Sequence, residues 1–71
     1  MTTAQPFDRV FIDAMIPHHQ SAVVAAEQAL LKAEHAEIKQ LATAIKTDQQ
    51  REIDQMRQWR QAWYGSPGAG R

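Results

Sequence analysis

Apolar residues recur every three or four positions along almost the whole chain, and no stretch alternates with the period of two that marks a strand. A first stripe runs Phe7, Phe11, Ala14/Met15, His18, Ala22, Ala25/Ala26, Ala29/Leu30, Ala33. A second runs Ile38, Leu41/Ala42, Ile45, Gln49, Ile53, Met56, Trp59/Arg60, Trp63. Both have the spacing of amphipathic helices, and the residues between are mostly strong helix formers. The pattern predicts an all-α fold. Pro6 and Asp8 suit a helix start, and Gly65 suits a stop.

The segment Lys32-Ala-Glu-His-Ala-Glu37 carries no Gly, Pro, Ser, Thr, Asn or Asp, so it lacks the usual stop and cap signals. An unbroken helix of roughly 55 residues would nevertheless exceed about 80 Å, and the heptads of a coiled coil are missing. The polar interruption between Leu31 and Ile38 is therefore the expected turn. The reading is an antiparallel two-helix hairpin over residues 6–64, with helices at about 6–33 and 37–63. A disordered N-terminus is expected over 1–5 and a flexible Gly/Pro tail over 65–71. Pro17 removes one backbone donor and clashes with the preceding turn, which predicts a kink in the first helix.

A single hairpin cannot bury two apolar stripes, and domains this small usually need oligomerisation, metal or disulfides. Cysteine is absent, so disulfides and thiolate sites are excluded. A second copy, completing a four-helix bundle as a homodimer, is the expected support. Eight basic residues balance eight acidic ones, which leaves no electrostatic drive toward nucleic acid. No apolar run is long enough for a signal peptide or a membrane span, so a soluble protein without a membrane partner is expected. That places it in the cytoplasm, or outside it if the chain is a mature fragment.

Folding the chain back near Glu34–Ala36 pairs positions whose numbers sum to about 70 or 71. Met15 then faces Gln55 and Met56, His18 faces Glu52 and Ile53, and His19 faces Arg51 and Glu52. Imidazole with thioether is a soft-to-intermediate donor set that suits copper better than magnesium or calcium. The candidate metal residues are His18, His19, Met15, Met56 and Glu52, with His18 expected to face inward. Each has a plainer reading: rim histidines, gap-filling methionines and a solvated glutamate. Trp59 and Trp63 read as packing at the open end or at a dimer seam. No Glu-x-x-His pair, zinc-protease motif or phosphate loop is present, so catalysis is not expected.

The runs FIDAMIPHHQSA and QQREIDQMRQW resemble the bacterial domain-of-unknown-function family 305, whose hallmarks are F-x-x-x-M-I-x-H-H-x-x-A and Q-x-x-E-I-x-x-M-x-x-W. The resemblance implies a ferritin-like helical bundle and, from some members, copper binding and copper resistance. It makes Met15, His18 and His19 the signature residues of the first helix and adds weight to Glu52 and Met56. Many members carry methionine where this chain reads Val23-Val-Ala-Ala26, and many have a second hairpin. The alternative to a copper protein is a structural helical module that binds no metal. A remnant of a ferritin-like di-metal oxidase is an outside third reading.

Overall fold

A computed structural model of the chain describes residues 7–68. Pro6, the N-terminal segment 1–5 and the last three residues of the tail lie outside the described span. Within it the fold is all-helical: α1 spans Phe7–Lys32 and α2 spans Ala36–Tyr64, packed antiparallel. The long axis is 51 Å, well short of the rod that one continuous helix would require. No helix among the described residues is long and apolar enough to cross a membrane.

The turn needs no glycine. His35 takes the N-cap position of α2 with extended backbone (φ −88°, ψ 133°), and its carbonyl accepts from the N–H groups of Ile38 and Lys39. Its side chain makes no capping bond, so backbone geometry alone starts the helix. At the other end Gly65 adopts the left-handed conformation (φ 85°) and donates its N–H to the Gln61 carbonyl. Only glycine adopts this stop at little cost. α1 runs unbroken through Pro17, and the Ser21 hydroxyl donates to the Pro17 carbonyl at 3.1 Å.

The core is small. Ile12, Ile16, Ile53 and Met56 form its buried cluster, with Met15 and Val23 packed on its edge. Ala26 and Ala42 are buried nearer the turn. On α1 this differs from the expected stripe: Phe7 and Phe11 are 65% and 51% exposed, and the inward line is Ile12, Ile16, His19, Val23, Ala26. The apolar arc of α1 is wider than one neighbour can cover. Its aromatic edge lies about 100° round the helix from its isoleucine edge, and α2 occupies the latter.

Polar pairs tie the helices along their length. Lys46 meets Glu27 at 3.3 Å, His19 meets Glu52 at 2.7 Å, and Arg60 grips Asp13 through two bonds of 2.6 and 3.1 Å. Arg60 also donates to the backbone carbonyl and hydroxyl of Ser66. Gly68, with φ 94°, lies so close that a Cβ there would meet the Arg60 side chain at 2.7 Å. Residues 66–68, within the span expected to be a flexible tail, thus lie against Arg60. The hydrogen bond from Arg60, helped by its charge and that of Arg9, holds the Asp13 carboxyl below its usual range. Asp13 is accordingly a clasp residue.

Candidate metal site

Between the core and the open end, one concavity of about 350 Å³ is lined by Phe11, Met15, His19, Glu52, Gln55, Met56 and Trp59. Four of the five residues singled out from sequence therefore converge. They come from adjacent turns of each helix: Met15 and His19 are four apart on α1, and Glu52 and Met56 four apart on α2. Residues so spaced share a helix face, and antiparallel packing brings the two faces together. Met56 is buried, Met15 and His19 are half-buried, and Glu52 is exposed.

The inward histidine is His19, where His18 was expected. His18 is exposed and stands edge-on to His19 with ring centroids 6.2 Å apart. Adjacent helix residues diverge by about 100°, so only one of the pair can face α2. Setting the stripe by Phe7 and Phe11 selects His18, whereas setting it by Ile12 and Ile16 selects His19. Burial follows the isoleucines, and the histidine follows burial.

His19 is held by one nitrogen only. Its Nε2 donates to Glu52 Oε1 at 2.7 Å, while Nδ1 is buried and has no hydrogen-bond partner. With an ionised carboxylate on Nε2, the neutral ring carries its proton there and its lone pair on Nδ1. Buried polar atoms rarely go unmatched, so an unpaired Nδ1 on a ring that shares its hollow with Met15 and Met56 asks for a partner. Imidazole held by a carboxylate is also the usual arrangement around a metal-binding histidine, the carboxylate fixing the tautomer from behind. The donor set fits soft and borderline transition metals. Among the described residues, no three His, Asp or Glu side chains cluster as a hard-donor site would require. The thioethers of Met15 and Met56 would have to complete the set.

Other readings resolve more simply. Arg51 pairs with Asp48 at 2.9 Å, whereas Glu52 pairs with His19. Trp59 and Trp63 stack at 5.7 Å with rings 2° from parallel, and both remain substantially exposed. In the sequence Trp59 reads as packing and Phe11 as one more residue of the first apolar stripe. Their place beside the histidine follows from spacing: Trp59 is three residues after Met56, and Phe11 four before Met15.

Comparison with known proteins bears on this geometry. Two solved structures of CopM, one in a Ag-bound form obtained by soaking and one in a Cu(I)-bound form, match with a TM-score of 0.82. Each is 53% identical, over 84% of this chain and 44% of its own. The uncharacterized protein L153 of Acanthamoeba polyphaga mimivirus is 39% identical over 49 residues, which is 69% of this chain and 32% of that protein. The chain thus spans less than half the length of these relatives. The family described as "Domain of unknown function (DUF305)" matches residues 2–71, and the chain belongs to that family.

Proposed function

We propose that this protein binds copper and serves in copper handling, with a binding role and no catalytic one. The observation that carries the reading is the meeting of His19, whose Nδ1 has no hydrogen-bond partner, with Met15 and Met56 around one concavity. Support comes from CopM, 53% identical, which has been solved with Cu(I) and with Ag bound. In this reading His19 Nδ1, Met15 and Met56 hold the ion, and Glu52 orients the His19 ring. His18 stands at the rim as a second imidazole for an incoming ion. A thioether-rich set favours the monovalent, softer oxidation state.

The same reading includes a homodimer that completes a four-helix bundle. It rests on the amount of apolar side chain that one hairpin leaves uncovered: Phe7, Phe11, Trp63, Leu31 and Leu41 are all more than half exposed. Patches of that kind mark association surfaces. Light scattering at micromolar concentration is expected to return twice the monomer mass. A monomer mass would overturn this part alone.

The competing reading is a structural helical module. What favours it is that the His19–Glu52 bond already joins the two helices without any metal. Titration of Cu(I) under reducing conditions, against a competing chelator, separates the two. Wild type is expected to bind tightly and to melt at higher temperature with metal, as any ligand of the folded state requires. The His18→Ala/His19→Ala protein should do neither. Affinity weaker than about 10 µM in wild type, or equal binding by the double variant, would overturn the copper reading. Affinity should also fall as the solution is acidified, because protons compete for the ligating nitrogen.

A further inference from the structure

Trp59 lines two concavities at once. One is the hollow that holds Met15, His19 and Met56. The other is an aromatic hollow at the open end, shared with Phe7, Phe11 and Trp63. One face of its ring lies along Trp63, which fixes the plane of the indole. Yet the residue is 41% exposed, so burial within the hairpin does not account for a tryptophan at this position. Its neighbour in the stack, Trp63, does not line the metal hollow.

The π face of indole carries negative charge density and attracts a cation more strongly than any other side-chain ring. A soft monovalent ion held by sulfur and one nitrogen keeps few hard ligands and gains from such a face. Cu(II) instead demands further nitrogen and oxygen donors in a tetragonal arrangement, which a ring pressed over the site would obstruct. We propose that Trp59 closes this hollow over the bound ion and so selects Cu(I) or Ag(I) against Cu(II). The inference rests on the copper reading above and adds a specificity-determining residue to it. Trp63 is the backing that holds the lid flat.

Cu(I) and Cu(II) affinities of wild type, Trp59→Leu, Trp59→Phe and Trp63→Phe test the assignment. Trp59→Leu should lose about tenfold in Cu(I) affinity, while Cu(II) affinity changes less than about twofold or rises. Trp59→Phe, which keeps a ring, should recover part of the loss. Because the chain has two tryptophans, Trp63→Phe leaves Trp59 as the sole tryptophan, whose emission is read by exciting beyond the absorption of Tyr64. Its fluorescence should shift and quench with Ag(I), saturating at the stoichiometry of binding, whereas Trp59→Phe should respond weakly. If Trp59→Leu does not fold, the phenylalanine variant and the single-tryptophan emission decide the matter. Equal Cu(I) affinity in all four proteins, a proportional loss for both oxidation states, or silent Trp59 emission would each overturn the lid. Failure of wild type to bind Cu(I) would remove the copper reading, and the lid with it.

Discussion

The two ends of this hairpin are packed by opposite means. Near the turn the helices meet through small side chains: Ala22, Ala25, Ala26 and Ala29 face Ile38, Leu41, Ala42 and Ile45 across a shallow groove of about 160 Å³. Toward the open end, Ile12, Ile16, Ile53 and Met56 fill the interior, and large rings stand outside it. The adjoining concavities there are about 350 and 360 Å³. Small residues let backbones approach and leave little room, whereas bulky ones prop the helices and leave hollows between rings. The candidate site lies where the second regime begins. A soft ion needs space lined by imidazole and thioether donors, and among the described residues these meet in the open half.

This contrast can be broken most directly in the isoleucine cluster. Ile53 is 1% exposed, and Ile53→Ala should cost about 2–5 kcal/mol, enough to unfold so small a fold in part at room temperature. Urea denaturation followed by circular dichroism reads the loss. A sharper test exploits the close seam. Ala42 is 3% exposed, so Ala42→Leu should overpack the turn end and cost about 1–3 kcal/mol. The same enlargement at exposed Ala44, outside the seam groove, should stay within about 0.5 kcal/mol in the single hairpin. Equal costs at the two positions would show that the seam is not closely packed.

The smallest effect belongs to the clasp at the open end. Because Arg60 holds the Asp13 carboxyl below its usual range, the folded state binds that proton less readily than the unfolded chain does. The pair's contribution is therefore complete above the ordinary aspartate range and disappears as pH falls through the lowered value. Asp13→Asn should be less stable than wild type at pH 7, with the gap closing in acid. The Asp13 side chain is 38% exposed to water, so the gap should also narrow with added salt. Melting temperatures between about pH 2 and pH 7 record both trends.

Much of this was legible in the residues. The period of three and four gives two helices, and the polar stretch before Ile38 gives the reversal, even though His35 caps α2 with backbone alone. The register brings Met15 level with Met56 and His19 level with Glu52, as the fold-back geometry requires. What the pattern could not decide was rotation about the axis of α1. Phe11 and Ile12 are neighbours in sequence and both strongly apolar, yet only one of them can face α2. Periodicity weighs hydrophobicity, and the aromatic edge weighs as much as the aliphatic one. The side chain that wins is the one whose branched shape fits between two close helices, and that depends on tertiary packing. The same ambiguity passed directly to His18 and His19. The Asp13–Arg60 clasp was likewise hidden, because its partners stand 47 residues apart and neither position signals the other.

The proposed site turns on one imidazole, so the decisive measurement compares two single variants. Cu(I) competition titrations of His19→Ala and His18→Ala, each beside wild type, should separate sharply. His19→Ala is expected to lose at least about a hundredfold in affinity, roughly 2.7 kcal/mol, and His18→Ala no more than about tenfold. Equal losses, or the greater loss in His18→Ala, would contradict the assignment of the site to the inward histidine.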